Sequence, residues 1–277
     1  MSKTLIIDVE RCHDCNNCFL ACKDEHVGND FFPYTASQPK DNHRWIEIRR
    51  QERGQFPLVD VAYLPYLCMN CVNAPCIKAA KNDAVYRRDD GIVIIDPIKA
   101  KGQKNIVRAC PYKVIYWNEK EQVPQKCNLC AHLLDDGWKV PRCVQACPTG
   151  ALQMIDTDSA EFRKLKEENA LDVLNPQFKT DPQVFYKNLY RFTQCFIAGS
   201  AAIKEQEECA YGAIVVIKDS EGKTIGQTET DVYGDFKVDQ LTADNKEYRL
   251  EIEYANFEKQ EAVVTLDKSI NIGTIFF

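Results

Sequence analysis

The chain has 277 residues, 45% of them hydrophobic and 27% charged, an ordinary soluble composition with room for two or three cores. A net charge of −6 argues against nucleic-acid binding, which favours a basic surface, and no apolar run nears the roughly 18 residues of a membrane span. There are 14 cysteines, 12 of them before residue 148, and so long a chain does not read as a secreted disulfide scaffold.

The first run, "TLIIDVE", reads as a short strand and leads at once into "CHDCNNCFLAC". Cys12, Cys15, Cys18 and Cys22 stand there at offsets 0, 3, 6 and 10. No leader peptide is visible, so the expected location is cytoplasmic, with export on a partner's signal left open. Residues 24–65 carry no cysteine, and 24–60 reads as an insertion. It holds the β-prone "RWIEIRR" and is rich in aromatics (Phe31, Phe32, Tyr34, Trp45, Phe56, with Tyr63 just after), for which packing is the expected role.

After "VDVAYLP" comes "CMNCVNAPC", with Cys68, Cys71 and Cys76, and then the strand-like "GIVIID". "DPIKAKGQKNIVRACPYKV" ends like a ferredoxin motif at Cys110 and Pro111. Its three earlier ligand positions hold Ala100, Gln103 and Ile106. The last group, "CNLCAHLLDDGWKVPRCVQACP", supplies Cys127, Cys130, Cys143 and Cys147.

Three closely spaced thiolates on one loop suit three irons of one cube, and in two-cluster ferredoxins the fourth cysteine of each run ligates the other cluster. Crossing the first and last groups gives Cys12, Cys15, Cys18 with Cys147, and Cys22 with Cys127, Cys130, Cys143. Crossing the middle groups gives Cys68, Cys71, Cys76 with Cys110. The remaining set would need Ala80, Ala100, Gln103 and Ile106, none of them cysteine. Three complete sets and one cleared set read as three [4Fe–4S] clusters beside the shell of a fourth. Any one cluster could be [3Fe–4S] with an unused thiol. Cys127, Cys130, Cys143 and Cys147 alone would also suit structural zinc. Cys195 and Cys209 lie outside the scheme and read as buried, inert thiols. His13, His26, His43 and His132 show no paired metal spacing; His13 and His132 flank cluster loops, where packing is the default and a hydrogen bond to sulfur the alternative.

From Asp158 the character changes. "DSAEFRKLKEENAL" places Asp158 and Glu161 in capping-box spacing, and residues 158–199 read as a helical linker that includes "DPQVFYKNLYRFTQ". Residues 200–277 read as all-β. "EYRLEIEYA" puts Tyr248, Leu250, Ile252 and Tyr254 on one face. The expected fold class is α+β. Residues 1–157 would form tandem ferredoxin-like modules (1–22 plus 123–157, and 60–115). A C-terminal β-sandwich of immunoglobulin-like or prealbumin-like type would follow, as a docking or stabilising module.

"RCHDCNNCFLACKDEH", "CMNCVNAPC", "DDGIVIIDPIK" and "KCNLCAHLLDDG…PRCVQACPTGAL" resemble the four-cluster iron–sulfur subunits of the dimethyl sulfoxide reductase family of molybdopterin enzymes, over roughly residues 1–190. That family's four clusters take about sixteen cysteines; this chain departs at Ala80, Ala100, Gln103 and Ile106. The resemblance implies a large catalytic partner subunit, in a heterodimer or higher assembly, carrying a molybdenum–molybdopterin guanine dinucleotide cofactor. It also implies that catalytic residues lie on that partner and that this chain stores or relays electrons. A respiratory oxidoreductase subunit and a free multi-cluster ferredoxin are the alternatives.

Overall fold

The computed structural model describes residues 3–277. The chain forms two compact units: one takes the residues up to 49 and 63–189, the other 50–62 and 190–277.

The first unit is organised by β1 (Lys3–Asp8), whose residues Thr4, Leu5, Ile6 and Ile7 are all buried. A strand apolar on both faces needs cover on both faces, as a central strand has. α1 (Asn17–His26) follows the first cysteine loop, and β2 (Ile46–Gln55) and β3 (Leu58–Leu67) form a long hairpin. α2 (Pro75–Ala79) begins with proline at its first turn, where the missing N–H costs nothing. β4 (Val85–Arg87) pairs with β5 (Val93–Ile95), and α3 (Asn105–Arg108) comes next. A second short hairpin joins β6 (Tyr116–Asn118) to β7 (Val123–Gln125). α4 (Ala131–Asp135) and α5 (Arg142–Gln145) flank the last cysteine loop. β8 (Leu152–Asp156) then returns antiparallel to β1, with Leu5 opposite Met154.

Where the sequence suggests a helical linker over 158–199, the structure has α6 (Ala160–Glu167) followed by a strand. The cap of α6 is Ser159, whose hydroxyl accepts from the Phe162 N–H at 3.1 Å, one residue later than the capping box expected at Asp158. β9 (Val184–Lys187) is the third strand of the first sheet, parallel to β1 with Leu5 opposite Val184. Its run Val184, Phe185, Tyr186 is buried throughout, so tertiary cover decides against a helix.

In the second unit, α7 (Tyr190–Thr193) is a single turn before β10 (Cys195–Ile203). The all-β region therefore begins before residue 200. β11 (Glu208–Cys209), β14 (Asp235–Leu241) and β17 (Ile270–Phe276) pair with β10; β12 (Ile214–Lys218) lies between β13 (Thr224–Glu229) and β15 (Glu247–Glu253), and β16 (Gln260–Thr265) pairs with β15. Residues from both four-stranded sheets, among them Ile197, Val215, Ile217, Phe236, Leu250 and Ile252, share one buried core. Tyr248, Leu250 and Ile252 point inward as their alternation requires, with Tyr254 packed at the edge. The helices are few and short, and the C-terminal part is all-β.

The tip of the β2–β3 hairpin belongs to this unit. Arg53, with a side chain only 3% exposed, donates to both carboxylate oxygens of Asp239 (2.9 and 3.0 Å) and to Asp60 at 2.6 Å. Arg191 donates to the other Asp60 oxygen at 2.7 Å. Burial alone would raise the Asp60 carboxyl, but the hydrogen bonds from Arg53 and Arg191 hold it below its ordinary value. Gly54 sits at φ +86°, where an added Cβ would run into the Leu58 carbonyl oxygen, so the tip requires glycine.

Candidate metal centres

All fourteen cysteines are free thiols, and nine of the twelve in the motifs are buried. Their mutual electrostatic influence shows which of them stand together. Cys12 feels Cys147 and Cys15, and Cys18 feels Cys12, Cys15 and Cys147. Cys22 feels Cys127 and Cys130, while Cys143 feels Cys127, Cys130 and Cys22. Cys71 feels Cys68, Cys110 and Cys76. Three further proximities join these groups: Cys143 and Cys22 each with Cys18, and Cys127 with Cys68. The four cysteines of the zinc reading thus divide, with Cys147 beside Cys12 and Cys18. Among the described residues no three His, Cys, Asp or Glu side chains converge on a single-ion position.

The loops are wound so that N–H groups reach the sulfurs. Asp14, Asn16, Asn70, Leu129 and Cys130 all take left-handed backbone, at φ 44–60°, a conformation that costs a non-glycine residue roughly 1–2 kcal/mol. The Leu129 N–H lies 3.5 Å from Cys127 Sγ. Backbone donors at Val114, Tyr112 and Lys113 reach Cys110. Burial pushes the thiols of Cys12, Cys76 and Cys127 up to about 11 and those of Cys18, Cys71 and Cys130 to about 12. Cys147 goes the other way: burial alone would raise it, but the backbones of Leu152, Thr149 and Ala151 and the Thr149 hydroxyl hydrogen-bond to it and lower it. Buried thiols grouped by like-charge repulsion are costly as thiolates and suited to iron, whose charge keeps a coordinating sulfur deprotonated. Asn128 is buried between Cys127 and Cys130, and its Nδ2 has no hydrogen-bond partner among the described residues. An inorganic sulfide would satisfy such a donor. The residues present therefore fit iron–sulfur clusters.

The third group lines a cavity walled by Cys68, Cys71, Cys76 and Cys110 together with Val93 and Ile115. On the other side of the same two helices the arrangement is different. Ala100 and Ile106 are wholly buried, and Ala80 is partly so. Gln103 clasps the chain just past α2: its Oε1 accepts from the Lys81 N–H at 2.8 Å, and its Nε2 donates to the Lys81 and Lys99 carbonyls. Asn105 Nδ2 donates to the Ala79 carbonyl at 2.6 Å. Two of these four positions, Ala100 and Ile106, are packed as core, while Ala80 and Gln103 are half-buried and Gln103 is held by hydrogen bonds near the surface.

Besides Asn128, two more buried polar side chains join the cysteine groups without having been singled out by the sequence. His26 is 1% exposed, and its Nε2 lies 3.7 Å from Cys130 Sγ. Burial, with His132 nearby, lowers its pKa to about 3, so the ring is neutral. Of the two histidines flanking cluster loops, His13 is exposed and His132 pairs with Glu25 at 3.0 Å while stacking on Phe31. Lys126 is 3% exposed; its ammonium donates to the carbonyls of Val93 and Cys127. The residue before a cysteine motif is a visible signal for Lys126, whereas His26 comes from a distant helix and leaves none. Cys195 is partly buried and Cys209 exposed, so neither is the fully buried thiol expected. Among the aromatics of the insertion, Trp45 is core and Phe56 is 90% exposed.

Residues 59–157 match the family model of a 4Fe-4S dicluster domain. The chain is 48% identical over 274 residues to the pyrogallol hydroxytransferase small subunit of Pelobacter acidigallici, covering 98% of this chain and 97% of that one. It is 34% identical over 206 residues to a putative dimethyl sulfoxide reductase iron–sulfur subunit of Halobacterium salinarum, covering 66% of this chain and 78% of the relative. A tetrathionate reductase subunit of Salmonella typhimurium is 32% identical over 190 residues, covering 67% and 72%. With the cysteine groups and these relatives in agreement, the chain belongs to the iron–sulfur electron-transfer subunits of the dimethyl sulfoxide reductase family of molybdopterin enzymes.

Proposed function

We propose that this chain carries three [4Fe–4S] clusters for a molybdopterin catalytic subunit, and that the complex is a pyrogallol–phloroglucinol transhydroxylase of the cytoplasm. The observation that carries the reading is the 48% identity maintained over 98% of the chain, β-domain included. In tandem ferredoxin-like modules, Cys12, Cys15, Cys18 and Cys147 would hold the first cluster and Cys22, Cys127, Cys130 and Cys143 the second. Cys68, Cys71, Cys76 and Cys110 would hold the third. When bound, the clusters supply one-electron storage and relay.

The chain's own residues hold, orient and shield. Twelve thiolates anchor iron, the left-handed loop residues aim backbone N–H groups at the sulfurs, and the buried walls exclude water. The second group's position between the other two suggests a linear series. The positions Ala80, Ala100, Gln103 and Ile106 leave no thiolate for a fourth cluster, which suits a hydroxyl transfer between phenols with no net electron flow. Substrate chemistry and the molybdenum–molybdopterin guanine dinucleotide belong to the partner subunit, in a heterodimer or higher assembly.

The complex should be isolated without oxygen, assayed for conversion of pyrogallol to phloroglucinol, and analysed for metals and acid-labile sulfide per copy of this chain. About twelve iron and twelve sulfide assigned to this chain, with molybdenum on the complex, are expected. Zinc without sulfide would overturn the cluster reading. Turnover of another substrate but not pyrogallol would leave an electron-transfer subunit of a different molybdopterin oxidoreductase.

A further inference from the structure

Lys126 is the residue whose chemistry the cluster reading leaves unused. A lysine is rarely buried unless it is paired, because desolvating an ammonium costs several kcal/mol. Lys126 is 3% exposed and makes no ion pair with a carboxylate among the described residues. Its two carbonyl acceptors, Val93 and Cys127, satisfy hydrogen-bonding capacity but supply no full negative charge. What surrounds it instead is sulfur. The side chain lines the cavity of Cys68, Cys71, Cys76 and Cys110, and Cys68, Cys76 and Cys127 all act on the ammonium. Cys68 and Cys76 belong to the third group, whereas Cys127 belongs to the second and is itself close to Cys68.

The ammonium thus stands where two groups of thiolates approach one another. A cubane held by four thiolates is net negative, and its negative charge grows by one when it accepts an electron. Two such groups side by side repel, and more strongly at low local dielectric. A fixed cation between them favours the reduced form of each and lessens the penalty that one reduced cluster places on its neighbour.

We infer that Lys126 is a positioning residue that raises the reduction potentials of the second and third clusters and weakens their mutual repulsion, leaving the first cluster unaffected. The inference rests on the three-cluster reading above. Cys12, Cys15, Cys18 and Cys147 do not line the cavity that holds Lys126, and the largest influences on its ammonium come from Cys68, Cys76 and Cys127.

The test uses the intact complex, with Lys126→Met, Lys126→Gln and Lys126→Arg variants prepared without oxygen. Iron and labile sulfide are counted first, and each cluster is then titrated by potentiometry with electron paramagnetic resonance detection. Lys126→Met and Lys126→Gln should keep about twelve iron yet show two of three midpoint potentials moved downward, while Lys126→Arg titrates close to the unsubstituted complex. The spin–spin splitting between two reduced clusters should also appear at a lower potential. If Lys126→Gln and Lys126→Met keep their iron with all three potentials unmoved, the inference fails. If Lys126→Arg loses iron as fully as Lys126→Met, the side chain is a structural strut and the inference fails equally. Fewer than three clusters in the unsubstituted complex would instead overturn the reading beneath it.

Discussion

The two faces of the α2–α3 pair make a controlled comparison within one molecule. On one face, Cys76 at the start of α2 and Cys110 just past α3 open onto a cavity shared with Cys68 and Cys71. On the other, Ala100 and Ile106 are buried, Ala80 and Gln103 are half-buried, and Gln103 hydrogen-bonds to the backbone of Lys81. Backbone and connectivity are held nearly constant while the side chains differ. On the three-cluster reading proposed above, this face is a cluster scaffold in which apolar volume and amide hydrogen bonds supply the cohesion that iron would give. Ile106 provides the volume; Gln103 and Asn105 provide the bonds.

The largest effect should come from removing iron altogether. Oxidation and chelation should abolish amide protection across 10–30, 66–80 and 108–150, because those loops then lose the iron–thiolate bonds that would tie them together. The sandwich core around Val215, Leu250 and Ile252 should keep its protection. Hydrogen exchange read by mass spectrometry checks both halves, and uniform loss in both regions would break the contrast. Next in size, Cys76→Ala should remove one cluster, lowering iron from about twelve to about eight per chain, with the first and second clusters still titrating. Cysteine introduced together at positions 80, 100, 103 and 106 should raise iron by about four; no gain would mean that the backbone there has closed beyond what side chains can reopen.

Smaller effects sharpen the packed face. Ile106→Ala should cost about 3 kcal/mol, read as roughly hundredfold faster exchange of the amides of 105–109. Gln103→Ala should cost about 1 kcal/mol, or roughly fivefold, because its bonds are partly exposed and water replaces them. If Gln103→Ala outweighed Ile106→Ala, the cohesion would lie in the amide clasp rather than the apolar fill.

Much of this site was legible in the sequence because ligands to one cube must be close along the chain, so spacing alone pointed to Cys12, Cys15 and Cys18 and to Cys68, Cys71 and Cys76. Alternation likewise marked Tyr248, Leu250 and Ile252 as one face. Local signals failed where tertiary cover decides: 158–199 reads as a helical linker, but Val184–Lys187 within it finds β1 as a parallel neighbour. Ser159 rather than Asp158 caps α6, a one-residue difference that spacing cannot resolve. His26 was invisible as a neighbour of Cys130, because nothing in α1 announces which loop its ring will reach.

The hairpin tip has a consequence for how this chain can be shortened. Because 50–62 belong with 190–277, the second unit is discontinuous, and a stop placed after the first unit would not remove it cleanly. It would leave Arg53 with Asp60 but without Asp239, uncovering a guanidinium that the intact fold keeps 3% exposed. During synthesis the same tip emerges together with Asp60 but long before Asp239, and must wait for the second carboxylate. A shorter descendant of this chain would therefore have to rewrite its middle as well as its end.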